Sequence, residues 1–138
     1  MRKNRIRIYR ELQNGQCAML QARRWELCHE GGVTQEHWHV GAAIGRHRKA
    51  CRMALRDLYG RPNQCGKLTG KCGLSGLRAL SDALHDVENQ LDSRALKSSR
   101  QIAIIVHPWG DKHRRAYRYL ERFGYCFDRD GDYYKVLR

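Results

Sequence analysis

The residues best able to hold a metal or act as nucleophiles are the six cysteines and seven histidines, and their spacing favours neither role. Cys28-His29, His37-x-His39, Cys65 and Cys72 supply ligand atoms, yet the chain contains no Cys-x-x-Cys and no His-x-x-x-His, the spacings that bring two ligands to one side of a turn or helix. No metal is expected. Asp128-x-Asp130-x-Asp132 spaces three carboxylates as a calcium loop does, but Tyr133 fills the glycine position and no glutamate closes the loop. Asp130-Gly131 reads instead as a hairpin turn. A Cys–His nucleophile pair needs a proximity that spacing does not supply, so no catalytic residue is assigned.

Cations are the abundant chemistry. The chain carries 27 Lys and Arg against 14 Asp and Glu, a formal net charge of +13. Residues 1–10 hold Arg2, Lys3, Arg5, Arg7 and Arg10 with no acid, and residues 46–78 hold nine basic groups against Asp57 alone. A third block is Lys112, Arg114, Arg115, Arg118 and Arg122, interleaved with His107, Trp109, Tyr117 and Tyr119, a mixture suited to stacking on unpaired bases. The acids Asp82, Asp86, Glu88 and Asp92 form a separate stretch with no Lys or Arg among them. Such segregation predicts a polarised surface that attracts polyanions and gains affinity by releasing counterions from phosphates. Arginine outnumbers lysine, and its planar fork suits phosphate and guanine. The expected partner is therefore a nucleic acid, DNA or RNA, met by Arg46, His47, Arg48, Lys49, Arg52, Lys67, Lys71, Arg114, Arg115 and Arg118. An acidic protein and a second copy of the chain are the further candidate partners.

The elements that must position these groups follow from length and pattern. A chain of 138 residues with 41% hydrophobic and 30% charged residues supports one globular domain with a packed core. No apolar run has membrane-spanning length and no signal-peptide pattern follows Met1, so a cytoplasmic protein with free thiols and no membrane contact is expected. Residues 5–9 alternate with period two, as a short strand with Ile6 and Ile8 inward or as a basic arm within residues 1–10. The stretch Cys17–Leu27 reads as helix. In Glu36–Tyr59, Val40, Ile44, Cys51, Leu55 and Leu58 fall on one helical side, with Gly45 as an interruption or a turn between two helices. Residues 60–73 form a glycine-rich basic loop. Leu77, Leu80, Leu84, Val87 and Leu91 mark an amphipathic helix with Ser75 at its start, and Ser93–Arg100 reads as a linker. Ile102–Val106 has the length and composition of a buried strand. Ala116, Leu120 and Phe123 define a last helix ended by Gly124, before a hairpin of Tyr125–Phe127 and Tyr133–Leu137.

Two segments resemble known families. Val40–Leu55 looks like a helix-turn-helix: Gly41, Gly45 and Cys51 have that motif's spacing, although Arg46 stands where an apolar residue is usual. The resemblance implies a second helix presenting Arg46, His47, Arg48, Lys49 and Arg52 to a duplex. Residues 67–138 are similar to the C-terminal half of the GNAT superfamily of N-acetyltransferases. There a glycine-rich loop opens a helix, a buried strand follows, and a helix ending in Gly-aromatic leads to a final β segment. Lys71-Cys72-Gly73-Leu74-Ser75-Gly76, Ile102–Val106 and Gly124-Tyr125 carry the likeness. It implies acetyl-CoA as cofactor, with its pyrophosphate at Lys71, Gly73, Ser75 and Gly76 and charge from Lys67. Gly70 stands where that family usually has Arg or Gln, Leu120 where a tyrosine general acid is common, and a helical 36–59 leaves little room for the strands that precede the loop in that family.

The expectation is thus a single small α+β or α/β domain with a helical N-terminal half and a C-terminal helix-strand-helix-hairpin. It binds DNA or RNA without a cofactor. An acyl-CoA-dependent N-acyltransferase and a basic adaptor for an acidic protein are the alternatives.

Overall fold

The computed structural model describes residues 4–30, 33–59, 73–98, 101–106, 118, 120–127 and 133–137. Three long strands come first: β1 (Arg5–Glu11), β2 (Cys17–Glu30) and β3 (Val33–Gly45), joined as an antiparallel meander. Two helices follow, α1 (Arg48–Tyr59) and α2 (Gly73–Ser98). The chain then enters β4 (Gln101–Val106), which pairs parallel with β3, so that the helices serve as the crossover a parallel pair requires. Helical residues 118 and 120–122 lead to β5 (Cys126–Phe127) and β6 (Tyr133–Leu137). β6 lies antiparallel between β4 and β5, completing a six-stranded mixed sheet in the order β1-β2-β3-β4-β6-β5.

The helical N-terminal half expected from the sequence does not form. Cys17–Leu27 lies within β2, and residues 36–45 lie within β3; only 48–59 of the expected 36–59 helix is helical. The first helix of the helix-turn-helix pattern is likewise a strand, and Gly45 ends it. The physical reason is burial on both faces. In β2, Ala18, Leu20 and Ala22 pack towards α2 while Cys17 and Met19 pack towards α1, and all five are buried. A strand covered on both sides loses its alternation and reads as a continuous apolar run. Ala18, Ala22, Ala42 and Ala43 strengthen the misreading, because alanine favours helices where nothing else decides. Residues 93–98, expected as linker, extend α2. In the opposite sense, Ile6 and Ile8 are buried in strand β1, and Ile102, Ile104 and Val106 are buried in β4.

The main core lies between the sheet and α2. Leu80, Ala83, Leu84, Val87, Leu91 and Ala95 recur at helical spacing and meet Ile6, Ile8, Leu20, Val40, Ile44, Ile102 and Ile104. Each fully buried leucine or isoleucine contributes about 1.5–3 kcal/mol of transfer free energy. A smaller cluster on the other face holds α1 down through Cys51 and Leu55 against Cys17, Met19 and Ala43. The helical residues 120–122 end as the glycine position predicts: Gly124 has φ +88°, its N–H reaches Glu121 O at 3.1 Å, and the Tyr125 N–H reaches Leu120 O at 3.0 Å. That pair of bonds is a Schellman closure, and Leu120 and Tyr125 supply its apolar contact within the core. Nearby, the Tyr125 hydroxyl donates to Glu88 Oε1 at 2.7 Å and Lys135 Nζ donates to Glu88 Oε2 at 3.2 Å, so the buried Glu88 is paired.

One buried charge ties three elements together. Glu36 of β3 is wholly buried; Arg94 of α2 donates to it at 2.6 and 2.9 Å, and Arg24 of β2 at 3.1 Å. The Arg94 guanidinium also lies 5.6 Å over the Trp38 ring. Trp38 Nε1 finds no partner among the described residues, a cost its buried ring offsets. The hydrogen bond from Arg94 and, after it, that from Arg24 outweigh burial and hold the Glu36 carboxyl down to about 2 from 4.5. A depressed carboxylate stabilises the fold above its unfolded value and loses that stabilisation as pH falls towards the folded one. Glu36→Gln is expected to cost about 3 kcal/mol at neutral pH. Denaturant unfolding of wild type and Glu36→Gln across pH 7 to 2 should show the difference shrinking below about pH 4.5; a difference that stays constant with pH would contradict the ion-pair account.

Candidate functional site

Side chains alternate across a strand, so the ladder that sends Ile6, Ile8, Leu20 and Ala22 into the main core sends Arg5, Arg7, Gln21 and Arg23 to the opposite face. In the β1–β2 register Arg5 stands beside Arg23 and Arg7 beside Gln21. The Arg7 Nε donates to Gln21 Oε1 at 2.9 Å, which fixes that guanidinium next to the floor of the sheet. α1 rises along the same face. Its buried side rests on β2 and β3, and its exposed side carries Lys49, Arg52 and Met53. Between sheet and helix lies a cleft of about 480 Å³ lined by Arg5, Arg7, Gln21, Arg23, Lys49, Arg52 and Met53. Five of the seven lining side chains are cations, and none is a carboxylate, imidazole or thiol. Cations gathered in this way suit an anionic partner, and the described lining holds neither a general base nor a nucleophile.

The five residues of 46–52 expected at a nucleic acid divide by role. Lys49 and Arg52 face the cleft. His47 caps the helix, its Nδ1 accepting the Ala50 N–H at 3.1 Å. The Arg48 guanidinium lies 5.0 Å over the Tyr9 ring, a cation–π contact that helps seat the helix. The Tyr9 hydroxyl is in turn hydrogen-bonded to Cys17 Sγ at 2.8 Å, and that bond, with burial, pushes the phenol up to about 12. Arg46 is exposed at the β3–α1 turn, outside the cleft lining. Lys67, Lys71, Arg114 and Arg115 lie outside the described residues. Arg118 is helical and exposed, and does not line the cleft. Gly73, Ser75 and Gly76 stand in the opening turns of α2, where no acidic residue occupies the first turn.

The sheet wall of the cleft was missed in part. Arg5 and Arg7 belong to the basic N-terminal segment noted above, but Arg23, Gln21 and Met53 have no counterpart among the expected site residues. The signal that finds Arg23 is the alternation Cys17, Met19, Gln21, Arg23 against Ala18, Leu20, Ala22, which a helical assignment of the same residues erases. Among the described residues no group of three or more His, Cys, Asp or Glu side chains is placed to hold a metal ion, and no helix is long and apolar enough to cross a membrane.

The helix wall depends on a close approach. A Cβ built on Gly45 would lie 3.2 Å from Ala50 Cβ and 3.3 Å from Cys51 Sγ. A side chain at Gly45 would therefore have to press Ala50 and Cys51 back by a few tenths of an ångström, and the φ of Gly45 is ordinary. Gly45→Val should cost about 1–3 kcal/mol by overpacking. Amide exchange should then rise in α1 while β4 and α2 stay protected, and unchanged exchange in α1 would show that the contact is slack.

Comparison with known proteins finds no matching family model, no matching curated protein and no matching solved structure.

Proposed function

We propose that this protein binds nucleic acid through the cationic cleft between the β1–β2 ladder and α1. The observation that carries the proposal is convergence: Arg5, Arg7 and Arg23 from the sheet and Lys49 and Arg52 from the helix line one concavity, and no carboxylate lines it among the described residues. Arg5 and Arg23 are cross-strand neighbours, so two guanidinium groups stand side by side on the sheet wall. Guanidinium forks take phosphate oxygens in pairs, while lysine adds a mobile point charge. The acids of α2 sit away from this cleft: Glu88 is committed to Tyr125 and Lys135, and Asp86 pairs with Arg10 at 2.6 Å. The α1 face thereby stays positive and steers polyanions to itself.

Binding by phosphate contacts is salt-dependent. Each phosphate neutralised contributes a slope of about −0.7 to −0.9 in log K against log salt. Lys49→Gln with Arg52→Gln should flatten that slope by about 1.4–1.8 and weaken binding to all sequences alike. Anisotropy titrations of labelled DNA and RNA at several salt concentrations provide the measurement. Affinity indifferent to salt, or no binding to any nucleic acid at low salt, would refute the proposal.

A second reading, an acyl-CoA-dependent N-acyltransferase, is favoured by element order. α2 opens at Gly73, the buried strand β4 follows, helical residues end at Gly124-Tyr125, and the β5–β6 pair closes the chain. β1–β3 supply strands ahead of the glycine-rich loop, where the sequence left little room for them. The N–H groups of the first turn of α2 lack intrahelical acceptors and would face a pyrophosphate placed at the helix start. Lys71 and Ser75 would add charge and a hydroxyl. Coenzyme A at about one hundred times its dissociation constant would add about 2.7 kcal/mol, a rise of several degrees in Tm. No rise at millimolar coenzyme A would remove this reading.

A further inference from the structure

We propose that the cleft takes a single polynucleotide strand rather than a duplex, a reading that rests on the nucleic-acid binding proposed above and specifies its form. Three features of the cleft carry it. Its cations stand on two facing walls. On β1, Arg5 and Arg7 are two residues apart, about 6.8 Å along the strand, comparable to the phosphate repeat of an extended chain. On α1, Lys49 and Arg52 are three residues apart and so neighbours on the helix surface. A strand laid between the walls is neutralised from both sides. A duplex carries its phosphates on the outside of a cylinder broader than its own major groove of about 12 Å, and it would ride on the rim. There it would meet Lys49 and Arg52 and miss the floor, where Arg7 is half-buried and Gln21 is 4% exposed.

The volume agrees with a strand. About 480 Å³ is in the range of sites that take a drug-sized ligand, room for a nucleotide or two in an open groove. The third feature is Met53, which is 58% exposed at the edge of a cationic cleft. A thioether is polarisable and adapts to flat partners, and guanidinium planes stack on unpaired bases. Cations with a thioether suit any base that is splayed out of a stack. Discrimination by base identity is therefore expected to be weak, as in other strand-binding grooves.

The test uses labelled oligo(dT) and oligo(U) of about ten nucleotides, within the span of a strand-binding module, and a blunt duplex of equal length and mixed sequence. Anisotropy is followed for the intact chain, for Lys49→Glu with Arg52→Glu, and for Arg78→Glu with Lys97→Glu, which removes the same charge from exposed positions of α2. Both strands should bind at least about tenfold more tightly than the duplex, which reaches the rim and misses the floor. The α1 variant should lose about tenfold or more in strand affinity at low salt, and the α2 variant should lose far less, since attraction is local on the scale of the Debye length. Duplex bound as tightly as strand, with the α1 variant impaired for both, would overturn the single-strand inference and leave nucleic-acid binding standing. Equal losses in the α1 and α2 variants would overturn the cleft as the site. No binding to any probe would overturn the parent reading together with the inference.

Discussion

Alternation of side chains along the β1–β2 ladder is the constraint from which both the core and the cleft descend. Ile6, Ile8, Ala18, Leu20 and Ala22 point to α2, while Arg5, Arg7, Gln21 and Arg23 point the other way. A slip of one residue in register would put arginines against Leu84 and Val87 and isoleucines into water. The burial that makes the fold stable therefore holds the cations in their grouping. No separate device is needed to collect them.

Holding several like charges in one place has a cost, and the molecule meets it by tying the surrounding elements down. Glu36 draws Arg24 and Arg94 onto the α2 side, linking β2, β3 and α2 at one carboxylate. Gly45 lets α1 close onto the end of β3 until Cys51 and Leu55 are fully buried. His47 and Arg48 are spent on capping and seating that helix, through Ala50 and Tyr9, which leaves Lys49 and Arg52 as its contribution to the cleft. Among the described residues of the helix, two cations therefore reach the cleft.

Charge is also sorted between faces. No acid lines the cleft among the described residues, and Glu88 and Asp86 of α2 lie beyond the sheet from it, Glu88 paired inside the fold and Asp86 bridged to Arg10. The Arg10–Asp86 pair is close to half exposed on both partners and so adds little stability. Its effect is to keep one arginine on the acidic side. Among the described residues, the cations of the cleft and the carboxylates of Glu88 and Asp86 are thus divided between the two faces of the sheet.

Composition alone was sufficient for the excess of cations, the separation of acids into 82–92 and the absence of metal-ligand spacing, because these are properties of a string of residues. The sequence also marked α2 by its leucine stripe, β4 by its apolar run and Gly124 as a helix stop, since each is decided by neighbours within a few residues. What it could not disclose is that 17–30 and 33–45 are strands. Both faces of their buried parts are covered, by α1 and α2, and a doubly covered strand shows no period for the eye to find. Those two strands are also what bring Arg23 beside Arg5 and set α1 across from them. The cleft is a product of long-range pairing between residues 5–11, 17–30 and 48–59, and only the tertiary structure decides such pairings, because each depends on burial supplied by parts of the chain far away in sequence.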